Sequence, residues 1–140
     1  HEEPAMIKPI MKSEFFLRLP SEDAGPDDAA TGQDLLDTLH EHEHECVGLA
    51  ANMIGVRKRI ICVKDGNRAL LMYNPQILEQ VNSYQTSEGL SLSGERPCTR
   101  YRRIKVEYLD ENFVHRIKNF SGYTAEIIQH EIDHCQGIVI

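Results

Sequence analysis

No apolar run in this 140-residue chain approaches the roughly 20 residues that a bilayer span needs, so no membrane helix is expected. Positive charge is scarce too. Lys and Arg number 15 against 22 Asp and Glu, for a formal net charge of −7. With no basic stripe and no basic patch interleaved with aromatics, a nucleic-acid partner is not expected. The four cysteines, Cys46, Cys62, Cys98 and Cys135, form no C-x-x-C pair and read as free thiols in a reducing cytoplasm. The first residues are charged and lack an apolar stretch, so no signal peptide is expected. His1–Ala5 read as extra to a domain that begins at Met6. There is no internal repeat. What remains is a chain of ordinary globular hydrophobicity, 41%, sized for one domain with a core of its own.

The densest chemistry lies in His130-Glu131-Ile132-Asp133-His134, an H-E-x-x-H box. On a helix, residues i and i+4 sit one turn apart on one face. Both imidazoles can then bind one divalent metal, with Glu131 beside it to move a proton. Thr124 is expected as N-cap and Gly137 as the C′ residue. Ala125, Ile128, Ile132 and Cys135 form an apolar stripe, while Ile127, His130 and His134 share another side. The box is short, however, and also occurs on ordinary solvated helices. Two histidines do not close a site either, because a catalytic metal needs a third protein ligand and an open position.

Two further segments bear on that ligand. Gly48-Leu49-Ala50-Ala51-Asn52-Met53-Ile54-Gly55 lies upstream, and Glu88-Gly89-Leu90-Ser91-Leu92 lies in the middle. In this order with the terminal box, they resemble the peptide deformylases, from about Met6 to Ile140. The resemblance implies an α+β fold, with antiparallel strands packed around a central HExxH helix. It also implies a metal-dependent hydrolase that takes the N-formyl group off the N-terminal methionine of nascent polypeptides.

The chain departs from that family in the middle motif. Its members carry Glu-Gly-Cys-apolar-Ser, with the cysteine thiolate as third metal ligand. Here Gly89 is followed directly by Leu90 and Ser91. Either the ligand has been deleted, or a modified cysteine stands between Gly89 and Leu90 and is not written as a standard letter. A loss confined to the most oxidisable residue, with its neighbours intact, favours modification. Cys98 is too far along the chain to fill the gap without remodelling the loop. The first motif departs as well. Cys46 stands where most members have Gly, and Met53 where they have a Gln whose amide holds the formyl oxygen. A thioether offers no donor.

By resemblance, His130 and His134 ligate the metal, Glu131 carries protons, and the Leu90 amide meets the oxyanion. Val47, Gly48, Met53, Gly89 and Ile127 contact substrate, with Val47 and Ile127 lining the methionine pocket. Glu88, Arg100 and Asp133 form a supporting network behind the ligands. Arg96 faces the substrate backbone or solvent. The metal implied is Fe²⁺ in cells, with Zn²⁺ or Ni²⁺ in purified protein. The partners implied are a formylated peptide N-terminus and the ribosome exit region.

The rest of the chain reads as a loop over 21–31, a helix over 32–45, and strands over 59–63, 70–73 and, more weakly, 77–84. Pro75 breaks the pattern between the last two. A strand over 104–109, a turn at 110–112 and a return strand over 113–120 follow. His40 and His44 have metal-pair spacing but read as a solvated helix end. Ile138 to Ile140 resembles the end of the family's short form, near a strand. Three rivals stand: a non-catalytic relative that binds peptide N-termini, an HExxH metalloprotease, and a structural-zinc domain. The protease would want its third ligand downstream, where only Cys135 to Ile140 remain. No closed four-ligand set supports the zinc domain.

Overall fold

The structure, a computed structural model, describes residues 9–90 and 94–140. His1–Ala5, Met6, Ser91 and Leu92 lie outside the described residues. The chain folds as a short helix α1 (Glu14–Leu17), helix α2 (Ala29–Glu41), strands β1 (Gly48–Ala50), β2 (Ile60–Asp65), β3 (Arg68–Leu90), β4 (Gly94–Leu109) and β5 (His115–Ser121), and helix α3 (Gly122–Cys135). The strands make one antiparallel five-stranded sheet in the order β1-β2-β3-β4-β5. The expected α+β architecture holds, and α3 carries the HExxH box.

Strand alternation divides the core between the two helices. Ile60 and Cys62 of β2, with Leu71 and Tyr73 of β3, pack with Leu35 and Leu39 of α2. Ile61, Val63 and Met72 point the other way and join Ile104, Val106 and Tyr108 against α3. The α3 stripe of Ala125, Ile128, Ile132 and Cys135 is buried there as the spacing predicted. Its hydrophobic burial therefore fixes the rotation of α3, and with it the direction in which both histidines point.

Four local expectations need correction. The N-cap of α3 is Ser121, not Thr124. Gly122, at φ +64°, turns the chain straight from β5 into the helix, and Thr124 Oγ1 instead donates to Asp65 Oδ1 at 3.2 Å. Helix α2 starts earlier and stops at Glu41, because no apolar residue beyond Leu39 gives the charged run a face to bury. His44 is therefore off the helix and exposed, and His40 pairs with Glu43 at 3.4 Å. Pro75 does not end a strand. β3 runs through it at a register shift between Tyr73 and Gln76, where the missing N–H is tolerated. The return strand begins at His115, because Phe113 takes φ +59° and the Asp110 carboxylate accepts from the amides of Asn112 and Val114.

At the other end of α3, Gly137 (φ +81°) sits where expected. Its amide donates to His134 O, and that of Ile138 donates to Asp133 O, both at 3.0 Å, closing the helix in a Schellman motif. Ile138 to Ile140 then continues without strand pairing.

Candidate metal and peptide site

Helix α3, strand β1 and the far end of β3 enclose a cavity of about 410 Å³. From α3 come Tyr123, Glu126, Ile127, His130, Glu131 and His134; from the β1 side come Glu45, Cys46, Val47, Gly48 and Leu49; Met53, Ser87 and Glu88 complete the wall. Val47, Gly48, Met53, Ile127, Glu131 and both histidines, singled out in the sequence, thus meet in one place.

The two imidazoles converge, with His130 Nε2 and His134 Nε2 only 3.1 Å apart. Behind them, His130 Nδ1 donates to Glu88 Oε1 at 2.7 Å. That bond assigns the ring proton to Nδ1 and leaves the Nε2 lone pair facing the cavity. Glu88 is held in turn by Arg100, whose Nε and Nη2 reach its carboxylate at 2.6–3.1 Å. Arg100 Nη1 also donates to Asp133 Oδ2 at 2.7 Å. Glu88 and Arg100 are both buried, so this guanidinium pins β3 and β4 to α3 behind the box. The structure thus brings Glu88, Arg100 and Asp133 together behind His130.

Burial would raise the Glu88 carboxyl, but the His130 and Arg100 hydrogen bonds outweigh it and hold the group ionised. Burial would likewise lower His130; the bond to Glu88 and the charge of Glu131 reverse that and raise it. His134 lacks such a partner, and burial drives it down to about 3, so it is neutral and free to ligate. Burial pushes Glu131 up to about 7, which places its proton near balance at neutral pH. Gly48 makes room for that carboxylate. A Cβ there would come within 2.7 Å of Ile127 Cγ2 and 3.0 Å of Glu131 Oε2.

Two converging imidazole nitrogens, one oriented by a buried carboxylate, fit two positions of a divalent metal. In the chain as written, Gly89 and Leu90 are consecutive residues of β3, paired with Glu95 and Gly94. Among the described residues, no group of three His, Cys, Asp or Glu side chains could hold a metal ion. Arg96 is exposed on β4, across from Glu88.

Sequence reasoning missed Tyr123 and Glu126. They lie seven and four residues before His130 on the same helix face, and that spacing could have found them. Tyr123 stands 64% exposed at the cavity mouth. The Glu126 carboxyl lies within hydrogen-bonding reach of Glu88 and Tyr84, and sharing that contact with Glu88 raises it.

A profile of the polypeptide deformylases matches residues 9–140. The peptide deformylase of Clostridium beijerinckii is 51% identical over 136 residues, covering 96% of this chain and all of that one. Peptide deformylase 1 of Clostridium perfringens is 37% identical over 111 residues, covering 76% of this chain and 74% of that protein. Among solved structures, the Met-Ala-Ser-bound class I type b peptide deformylase from Acinetobacter baumannii superposes with a TM-score of 0.84 at 26% identity, covering 97% of each chain. The peptide deformylase of Thermus thermophilus gives 0.82 at 32% identity, over 96% of this chain and 84% of that one.

Proposed function

Because this chain belongs to the peptide deformylase family and removes the N-formyl group from the N-terminal methionine of nascent polypeptides, we propose how its own residues do so. The observation that carries the proposal is the pair of ring nitrogens 3.1 Å apart with the buried Glu131 in the same cavity. The family is metal-dependent, and His130 and His134 would hold the metal through Nε2. When bound, such an ion makes a water acidic near neutrality and polarises the formyl carbonyl. Glu131 takes the proton of the attacking water and hands it to the leaving amine. The Leu90 amide, at the end of β3, donates to the formyl oxygen as charge develops there. The backbones of Gly48 and Gly89 flank the extended peptide. Val47 and Ile127 hold the methionine side chain. Glu88, with Arg100 and Asp133 behind it, keeps the His130 ring turned toward the metal.

We infer that the third ligand is a cysteine, in modified form, standing between Gly89 and Leu90 in addition to the 140 residues of the sequence. This is supported by the gap of one residue in a motif that is otherwise intact. Intact-mass measurement of the purified chain reads the difference directly. The expected mass exceeds that of the written sequence by one cysteine residue plus any bound oxygen. A mass equal to the written sequence means a true deletion and removes the thiolate from the site. We assign Fe²⁺ as the metal in cells, with Zn²⁺ or Ni²⁺ taken up on purification, because thiolate and imidazole donors suit all three. We place the enzyme in the cytoplasm near the ribosome exit region, where an acidic chain of net charge −7 meets the emerging peptide rather than RNA. Residues 6–140 make up the deformylase domain, with 1–5 outside it.

Met53 lines the cavity, 8% exposed, and supplies no hydrogen-bond donor. Met53→Gln is expected to raise kcat/KM for a formyl-methionyl peptide. A well-aimed donor at a developing oxyanion supplies about 2.7–4 kcal/mol, and the gain here is expected below that, because this wall is shaped around a thioether. An unchanged or lower kcat/KM with stability preserved would show that Met53 does not face the formyl oxygen.

A further inference from the structure

Among the described residues, the buried side-chain polar atoms without a hydrogen-bond partner are Ser21 Oγ, Asn52 Oδ1 and His134 Nδ1. Two of these belong to residues that already touch. Asn52 Nδ2 donates to the backbone carbonyl of His134 at 2.9 Å. Both are sealed from solvent, with Asn52 0% and His134 2% exposed. Buried polar groups are nearly always satisfied, so two orphans on adjoining residues call for one explanation. They are complementary. A carbonyl oxygen can only accept, so His134 O fixes the Asn52 amide with its nitrogen inward and leaves the oxygen as the free arm. A neutral histidine that commits Nε2 to a metal carries its proton on Nδ1, and that proton needs an oxygen. His130 has such an oxygen in Glu88, at 2.7 Å. No carboxylate is hydrogen-bonded to the His134 Nδ1 among the described residues.

We propose that Asn52 is the positioning residue of His134: its amide oxygen accepts the Nδ1–H through one buried water, while its amide nitrogen holds the same residue's backbone. Asn52 would thereby fix both the tautomer and the rotation of the second ligand, as Glu88 does for the first. Its place in the fold suits the task. The turn Ala51–Ile54 that carries Asn52 follows directly on β1, so the strand that makes room for Glu131 also delivers the His134 clamp.

The proposal rests on His130 and His134 being the metal ligands, and the test keeps the two ideas apart. Zn²⁺-loaded protein labelled with ¹⁵N-histidine is examined by NMR for a proton on His134 Nδ1, and Zn²⁺ affinity is measured by chelator competition. The wild-type protein is expected to show a slowly exchanging Nδ1 proton. Asn52→Leu is expected to lose that protection and to bind Zn²⁺ ~10–100-fold more weakly, the usual effect of removing a partner behind a metal ligand. A purely structural role for Asn52 would lower Tm but leave the ring proton and Zn²⁺ affinity unchanged, which would overturn the proposal. If Asn52→Leu does not fold, the wild-type spectrum decides alone: an unprotected Nδ1 or a proton on Nε2 refutes it. A wild-type chain that takes up no Zn²⁺ refutes the ligand assignment itself.

Discussion

Glu131→Gln is expected to keep the metal and lose deformylation by ~10²–10⁴-fold, the usual contribution of a positioned acid–base group. The substitution preserves shape. Glu131 is 5% exposed and packs closely against the backbone of Gly48, so a glutamine of the same size fits where a larger residue would not. It also leaves His130 and His134 in place, since Glu88 holds the His130 ring and Asn52 holds the backbone of His134. What it removes is a carboxylate that burial has pushed up to about 7, able to accept a proton from water and release it to an amine. Metal content per chain and kcat for a formyl-methionyl peptide are measured on the same sample. Full activity would take Glu131 out of the mechanism; loss of metal would make it a ligand instead of a proton carrier.

Arg100→Leu is expected to have the largest effect on stability, about 3–5 kcal/mol, the range seen when one partner of a buried ion pair is deleted. Arg100 is 5% exposed and bonds Glu88 and Asp133 at once. Without it, two carboxylates face each other behind the box with no cation between them. Glu88 then loses a main reason to remain ionised, and its grip on His130 Nδ1 weakens. The same variant should therefore bind metal ~10–100-fold more weakly. Urea unfolding and chelator competition read the two effects separately. A change below about 1 kcal/mol, the size typical of exposed pairs, would show that the cluster is solvated in solution.

Much of the site was legible because helical periodicity is a local signal. The stripe of Ala125, Ile128, Ile132 and Cys135 and the i,i+4 histidines both follow from neighbouring residues, and the structure rotates α3 as they require. The Arg100 cluster was not legible in that way. Its partners lie 12 and 33 residues away, and only the likeness to a family brought Glu88, Arg100 and Asp133 together before the fold did. The misplaced boundaries have their own physical causes. Thr124 is a good capping residue, yet Gly122 at φ +64° lets β5 pass into α3 without a loop, leaving no cap for it to make. Pro75 looked like a strand breaker because propensity takes no account of a bulge that leaves its nitrogen unpaired. Tyr123 and Glu126 carry no motif, and become notable only because the helix lines them up with His130 toward the cavity.

The most direct test is release of formate from formyl-Met-Ala-Ser by the metal-loaded chain. The expected result is equal amounts of formate and free Met-Ala-Ser, abolished by a chelator and restored when the divalent metal is returned. A metal-loaded chain that binds the peptide and releases no formate would contradict the account, and would mark the protein as a peptide-binding relative that has lost its chemistry.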